Sequence, residues 1–233
     1  TKVETITVGK RSFDEWWETA RTAFTNNPVI PPPAIIFPPI LPPIGGKCLM
    51  VPDAWKKMTY VNQPSTARSN HTAVWTGAEF IVWGGSNLNT GGIYNPGTNA
   101  WAATSTANAP SWRSNHTAVV TTAGQMLVWG GVYGTKALGD GKSFNPVGNT
   151  WTGMGTLGTP PTPRYYHTAV WAPQIGASGS MIVWGGWNGT ANSETNTGAI
   201  YDVWSDSWSA TCSNPLVCPN VPVARREHSA VWT

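Results

Sequence analysis

The sequence predicts an all-β fold in which repeated four-stranded sheets stack radially as a β-propeller, and three observations predict it. A segment opening at Arg68 (RSNHTAVW, then FIVWGG, then GIYNP, then Trp101) returns from Arg113 to Trp151 and from Arg164 to Trp208, and its opening alone returns at Arg225 as RREHSAVWT. The four histidines, His71, His116, His167 and His228, share one position of that repeat and lie 45, 51 and 61 residues apart; periods of this size belong to solenoids, propellers and arrays. Inside each copy, short apolar runs rich in Val, Ile and Trp are separated by Gly, Asn and Pro, which is the pattern of strands joined by turns.

Each copy holds four strands. Strand A is HTAVW, B is FIVWGG, C is GIYNP, and D begins at the late Trp. The A–B connection, residues 76–79 in the first copy, is hairpin-sized, and the C–D turn is built on Asn95-Pro96-Gly97, with Asn145-Pro146 and Asp202 as counterparts. An antiparallel sheet that is apolar on both faces cannot hide both by itself, and radial stacking hides them. The glycine pairs that end strand B (Gly84-Gly85, Gly130-Gly131, Gly185-Gly186) permit a positive φ where a side chain would collide with the next sheet. The 15 tryptophans are read first as packing between sheets, each aromatic burying about 150–250 Å².

These residues carry a resemblance. The double glycine, the later Tyr or Phe (Tyr94, Phe144, Tyr201), the Trp (Trp101, Trp151, Trp208) and the leading Arg-x-x-His-[Thr/Ser]-Ala-Val together resemble the kelch repeat, especially the HTAVW…WGG style of bacterial proteins. The resemblance covers roughly residues 55–233. It implies a kelch-type β-propeller with three complete blades, at about 65–107, 113–157 and 164–212, and it implies no particular activity, because one fold hosts many. A distant relation to galactose oxidase-type propellers brings copper held by Tyr and His into view, and Tyr166-His167 is similar to such a pair. His167 is, however, the repeat position of all four units, so we expect a hydrogen-bonding core histidine, no metal and no cofactor. The recurrent Arg68, Arg113, Arg164 and Arg225 are expected to tie strand starts to neighbouring carbonyls or carboxylates.

Ahead of the repeats, residues 1–27 read as a strand (3–8) and an amphipathic helix (about 13–25). Ser12 and Glu15 form a capping box, and Phe13, Trp16, Trp17, Ala20 and Phe24 share one face. Residues 28–47 form a Pro-rich arm in which Ile35, Ile36, Phe37, Ile40 and Leu41 are interleaved with prolines; it is expected to be extended and polyproline II-like, and to dock on this protein or on another subunit. The propeller region is expected over 48–233. Trp55 stands before Arg68 as Trp101 stands before Arg113, so residues 55–60 are expected to be a lone strand D, and 225–233 a lone strand A. Three blades do not close a ring, and the expectation is a ring completed beyond Thr233 or by other chains.

The B–C loops (86–91, 132–141, 187–198) and the D–A loops, the last at 210–224, lengthen along the chain and share one face of an up-and-down sheet, where binding is expected. Trp112, Tyr133, Trp187 and Asn188 supply aromatic and amide groups there, for a partner protein or a carbohydrate. Asp140 and Glu194 lie in the same loops, but nothing in the sequence pairs them for glycoside hydrolysis, and there is neither a phosphate loop nor a nucleophile motif, so no catalytic residue is expected. Asn70, Asn115 and Asn188 each begin an N-x-Thr triplet; the first two are expected to be buried in strand A.

Only 11% of residues are charged, and the net charge of +3 is spread among scattered Lys and Arg, so neither nucleic acid nor an anionic membrane is indicated. No apolar run is long enough to span a bilayer as a helix. Cys212 and Cys218, in CSNPLVC, are expected to form a disulfide, with Cys48 left over, which points to an extracytoplasmic location. The function expected from all this is a protein-binding or structural subunit of a larger extracytoplasmic assembly, with a carbohydrate-binding or carbohydrate-active propeller as the alternative.

Overall fold

Short apolar runs closed by Asn-, Pro- and Gly-containing turns fold each repeat into one antiparallel meander. The computed structural model describes residues 57–64, 66–212 and 220–233. The first blade is β1 (Thr72–Trp75), β2 (Phe80–Trp83), β3 (Gly91–Asn95) and β4 (Ala100–Ala103), hydrogen-bonded in that order. The second is β5 (Thr117–Val120) and β6 (Met126–Trp129), a small hairpin of β7 (Val132–Tyr133) and β8 (Lys136–Ala137), then β9 (Gly141–Asn145) and β10 (Thr150–Gly153). Its main sheet runs β5-β6-β9-β10. The third adds β11 (Leu157–Gly158) and β12 (Arg164–Tyr165), then β13 (Thr168–Ala172), β14 (Ser180–Trp184), the hairpin β15 (Trp187–Asn188) and β16 (Ser193–Glu194), β17 (Gly198–Asp202) and β18 (Ser207–Ala210). Its main sheet runs β13-β14-β17-β18, and β11, arriving from the second blade, pairs parallel to β18 on the outer edge.

These are three blades of a kelch-type β-propeller. The C–D turns close as expected: the side-chain oxygen of Asn95 accepts from the Gly97 and Thr98 N–H, Asn145 from Val147 and Gly148, and Asp202 from Trp204 and Ser205. This Asx geometry is why Asn or Asp begins every such turn. Across the same hairpins Tyr94 faces Trp101, Phe144 faces Trp151 and Tyr201 faces Trp208, with ring centroids 5.1, 4.7 and 5.1 Å apart.

The core lies between blades. Ile81, Trp83 and Ile93 of the first blade pack with Met126, Val128, Phe144 and Trp151 of the second. On the second blade's other face, Val119, Leu127 and Trp129 pack with Met181, Val183, Ala199, Tyr201 and Trp208 of the third. The middle sheet is thus covered on both sides, which is why its β6, MLVW, is buried at all four positions and does not alternate in the manner of a half-exposed strand.

Three expectations need correction or placement. Residues 57–60 and 225–233 form no strand, because among the described residues neither segment has a ladder partner, although both still engage the blades through the seam bonds described below. The B–C connections of the second and third blades are not plain loops; each folds into a two-residue-stranded hairpin. The strand at 3–8, the helix at 13–25, the Pro-rich arm with Ile35, Ile36, Phe37, Ile40 and Leu41, Trp55, Cys48 and Cys218 lie outside the described residues.

Candidate functional site

The seams between blades position the loop face, and one set of contacts repeats at each seam. The imidazole Nε2 of His116 shares a hydrogen bond with Thr72 Oγ1 (2.9 Å), His167 with Thr117 (2.8 Å) and His228 with Thr168 (2.9 Å). Every bond joins a histidine to the preceding blade. Each imidazole sits over the first glycine of the preceding pair: a Cβ on Gly84, Gly130 or Gly185 would stand 2.6–2.7 Å from Cε1 of His116, His167 or His228. The second glycine donates its N–H to the next blade, from Gly85 to Arg113 O, from Gly131 to Arg164 O and from Gly186 to Arg225 O. The glycine pair therefore exists to let the next blade's histidine and backbone approach.

Burial, with the Arg113 charge next in weight, pulls the His116 imidazole down to about 3; burial, then Arg164, does the same to His167. Both rings are neutral near pH 7, which suits a role as hydrogen-bonded packing. The arginines serve their own blades. Arg113 Nη1 donates to the carbonyls of Gly130 and Asp140 and its Nη2 reaches both Asp140 carboxylate oxygens; Arg164 Nη1 donates to Gly185 O and Thr197 O. Both arginines are fully buried, and each fixes the exit of strand B to the end of the B–C loop.

An outer clasp completes each seam. The indole N–H of Trp101, Trp151 and Trp208 donates to the carbonyl of Thr59, Ser105 and Gly155 in the chain leaving the previous blade. The N–H of the same three residues is accepted by Asn99, Asn149 and Asp206. Sequence reading missed this second half; its signal is the Asn or Asp placed two residues before each late Trp, at a position where φ is near +50°.

These seams interleave the D–A and B–C loops on one face, as expected. Leu88 of the first B–C loop bridges to Arg113, and Ser114 bridges to Val132. At this seam Trp112 and Tyr133 come together, ring centroids 6.1 Å apart and planes crossed at 81°. They are 52% and 48% exposed despite their size. With Asn89, Ala109, Pro110 and Ser111 they line a pocket of about 320 Å³. The Trp112 indole N–H, the Tyr133 hydroxyl and the Asn89 side-chain amide make no hydrogen bond among the described residues.

Trp187 and Asn188 are placed differently. They sit side by side on β15, paired with Tyr165 and Arg164, but the Arg226 guanidinium lies 4.7 Å over the Trp187 ring. Asn188 Oδ1 accepts from the N–H groups of Thr190 and Ala191. Both side chains already have partners within the fold. Asp140 and Glu194 are likewise engaged, by Arg113 at 2.9 Å and Arg226 at 3.6 Å, and are not brought to one another. Asn70 and Asn115 precede strand A instead of lying in it, in the left-handed region, and Asn70 is exposed, not buried. Cys212 is disulfide-bonded, and its partner lies outside the described residues. Among the described residues no group of three metal-binding side chains converges, and no helix is long and apolar enough to cross a membrane.

A second cavity, of about 230 Å³, lies at the opposite face between the second and third blades and includes Gln125, Ser143, Thr152, Tyr201 and Asp206. Its carboxylate is already committed to the Tyr201 hydroxyl and the Gly155 N–H.

Stacked four-stranded blades of one repeating meander define the β-propeller class. The sequence profile described as the KLHDC2/KLHL20/DRC7 Kelch-repeats domain matches residues 50–233, and the chain belongs to the kelch-repeat family. Kelch repeats generally mediate protein–protein interaction. No curated protein matches the chain in sequence.

Proposed function

We propose that this protein is a non-catalytic binding subunit that engages a partner protein through the B–C/D–A face, with the Trp112–Tyr133 pocket as its anchor point. The observation that carries the reading is the exposure of that crossed aromatic pair: Trp83, Trp129, Trp151 and Trp208 are buried between blades, whereas these two open on solvent beside polar groups that have no partner among the described residues. Exposed Trp and Tyr framed by a seam are the residue types that dominate binding energy at interfaces. The committed state of Asp140, Glu194 and the seam histidines supports binding over catalysis.

A location outside the cytoplasm goes with this reading, supported by the disulfide at Cys212 and by the spacing of Cys212 and Cys218. The Pro-rich arm, with Ile35, Ile36, Phe37, Ile40 and Leu41, supplies a second docking element toward another subunit of the assembly. Deleting residues 28–44 is expected to release the protein from that assembly.

The test of the face is selection of peptide ligands from a random display library against the full chain, followed by counter-screening. Ligands that bind wild type and lose about tenfold or more in affinity on Trp112→Ala, with Trp204→Ala on the opposite face as the unaffected control, support the proposal. Specific saccharide binding lost in Trp187→Ala, with no such peptides, would replace it by the carbohydrate reading.

A further inference from the structure

Resting on the protein-binding reading, we infer that the Trp112–Tyr133 pocket recognises a proline-rich segment in the polyproline II conformation. Three features of the pocket carry this. Its two rings are crossed at 81° with centroids 6.1 Å apart, so they form a slot with two walls and not a flat platform. A pyrrolidine ring is short, rigid and apolar, and it fills such a slot; aromatic-lined grooves are how polyproline II segments are generally held.

The second feature is the inventory of polar groups. The free groups around the slot can all donate: the Trp112 indole N–H, the Asn89 amide, the Tyr133 hydroxyl and the Ser111 hydroxyl. Ser111 Oγ accepts from Arg113 Nη2 at 3.2 Å, which leaves its own O–H to donate outward. A polyproline II chain makes no internal hydrogen bonds, and its prolines lack N–H groups, so it displays carbonyl acceptors and few donors. The two sets match.

The third feature is rigidity. Arg113 grips the pocket wall at Ser111 O (3.0 Å) and Ser111 Oγ while bonding Gly130 O at the root of the hairpin that carries Tyr133. One buried guanidinium thus sets the spacing of both walls. Pro110, itself buried, stiffens the segment before Trp112. A preformed slot meeting a preformed ligand loses little ordering entropy on binding, so a short peptide suffices for detection.

The experiment titrates a fluorescent N-acetylated oligoproline into the full chain, in parallel with a Gly/Ser peptide of equal length, and compares wild type with Trp112→Ala, Tyr133→Ala and Trp112→Phe. Saturable oligoproline binding that is weakened about tenfold or more by either alanine variant and retained in part by Trp112→Phe, which keeps a ring and loses the N–H, is the expected result. Near-ultraviolet circular dichroism and thermal melting of each variant confirm that the exposed substitutions leave the fold intact. If oligoproline fails to bind while library-selected peptides without proline bind in a Trp112-dependent manner, the proline specificity is overturned and the protein-binding reading stands. If no peptide of either kind depends on Trp112 or Tyr133, both fall together.

Discussion

His167 Nε2 lies 2.8 Å from the hydroxyl of Thr117 on the preceding blade. The same bond joins His116 to Thr72 and His228 to Thr168, so the Arg-x-x-His-Thr string is a hook and an eye: each unit supplies its histidine to the blade before and its threonine to the blade after.

Acid should therefore loosen the seams. His116 and His167 are held near 3 in the folded protein, against 6.5 for an ordinary imidazole. The unfolded chain binds the extra protons, so stability is fully present above about pH 6.5 and falls as pH drops from there toward 3. Each histidine contributes a loss on the order of 2 kcal/mol by about pH 5. Urea midpoints measured between pH 7.5 and 5 should fall together; a flat profile would show that these rings are not buried as neutral bases.

Glycine at the seam is a matter of space as much as of φ. Gly130→Ala places a Cβ 2.7 Å from His167 Cε1 and 2.9 Å from Arg164 O, at φ +66°. It should cost roughly 3 kcal/mol or more, combining overpacking with left-handed strain. Gly134→Ala, at φ +58° with nothing within 4 Å, should cost only about 1–2 kcal/mol. Equal losses in chemical denaturation would mean that the histidine contact adds nothing.

The outer clasp can be probed by a substitution that keeps an aromatic ring in place. Trp151→Phe keeps a ring beside Phe144 and removes the N–H that reaches Ser105 O at 2.9 Å. A loss of about 1–3 kcal/mol is expected, from the missing bond and the smaller ring. Asn149→Ala, which leaves the Ser105 N–H without its acceptor and puts alanine at φ +50°, should lose at least as much.

Around the inner edge, backbone bonds run from Asn115 N to Asn70 O, from Tyr166 N to Asn115 O and from Glu227 N to Tyr166 O. All four residues are left-handed, with φ between 54° and 58°. Asparagine tolerates that region and β-branched residues do not. Tyr166→Asn should thus be near neutral in thermal stability, while Tyr166→Val should be worse than Tyr166→Asn by about 1–2 kcal/mol. The reverse order would contradict the assignment of strain to this position.

Much of this was legible because it repeats. Four copies of one string revealed the blades, the role of the glycine pair and the structural use of the histidines, since a residue demanded in every unit answers to the unit and not to a ligand. One repeating feature was missed, the Asn or Asp that clasps the previous blade's exit at Asn99, Asn149 and Asp206; the rest of what was missed lies where the copies differ. The parallel strand β11 on the edge of the third blade follows a connection of irregular length, and the hairpins at residues 132–137 and 187–194 arise in B–C insertions where the copies diverge. At the candidate site, Trp112 and Tyr133 were identifiable as exposed loop aromatics, but not as one pocket. They are far apart in sequence, and the bridges Leu88–Arg113 and Ser114–Val132, with the Arg113 guanidinium, bring them together. Trp187 looked equivalent from its loop position, yet Arg226, well separated in sequence, covers it.

The most direct test of the central claim is a hydrogen-exchange footprint of the full chain with and without its tightest selected peptide ligand. The account predicts slowed exchange in residues 86–90, 109–114 and 132–138, the walls of the Trp112–Tyr133 pocket, and no change in the C–D turns at 96–99, 146–149 and 203–206. Protection of those turns, with the loop face unchanged, would place the binding surface on the other side of the propeller and contradict it.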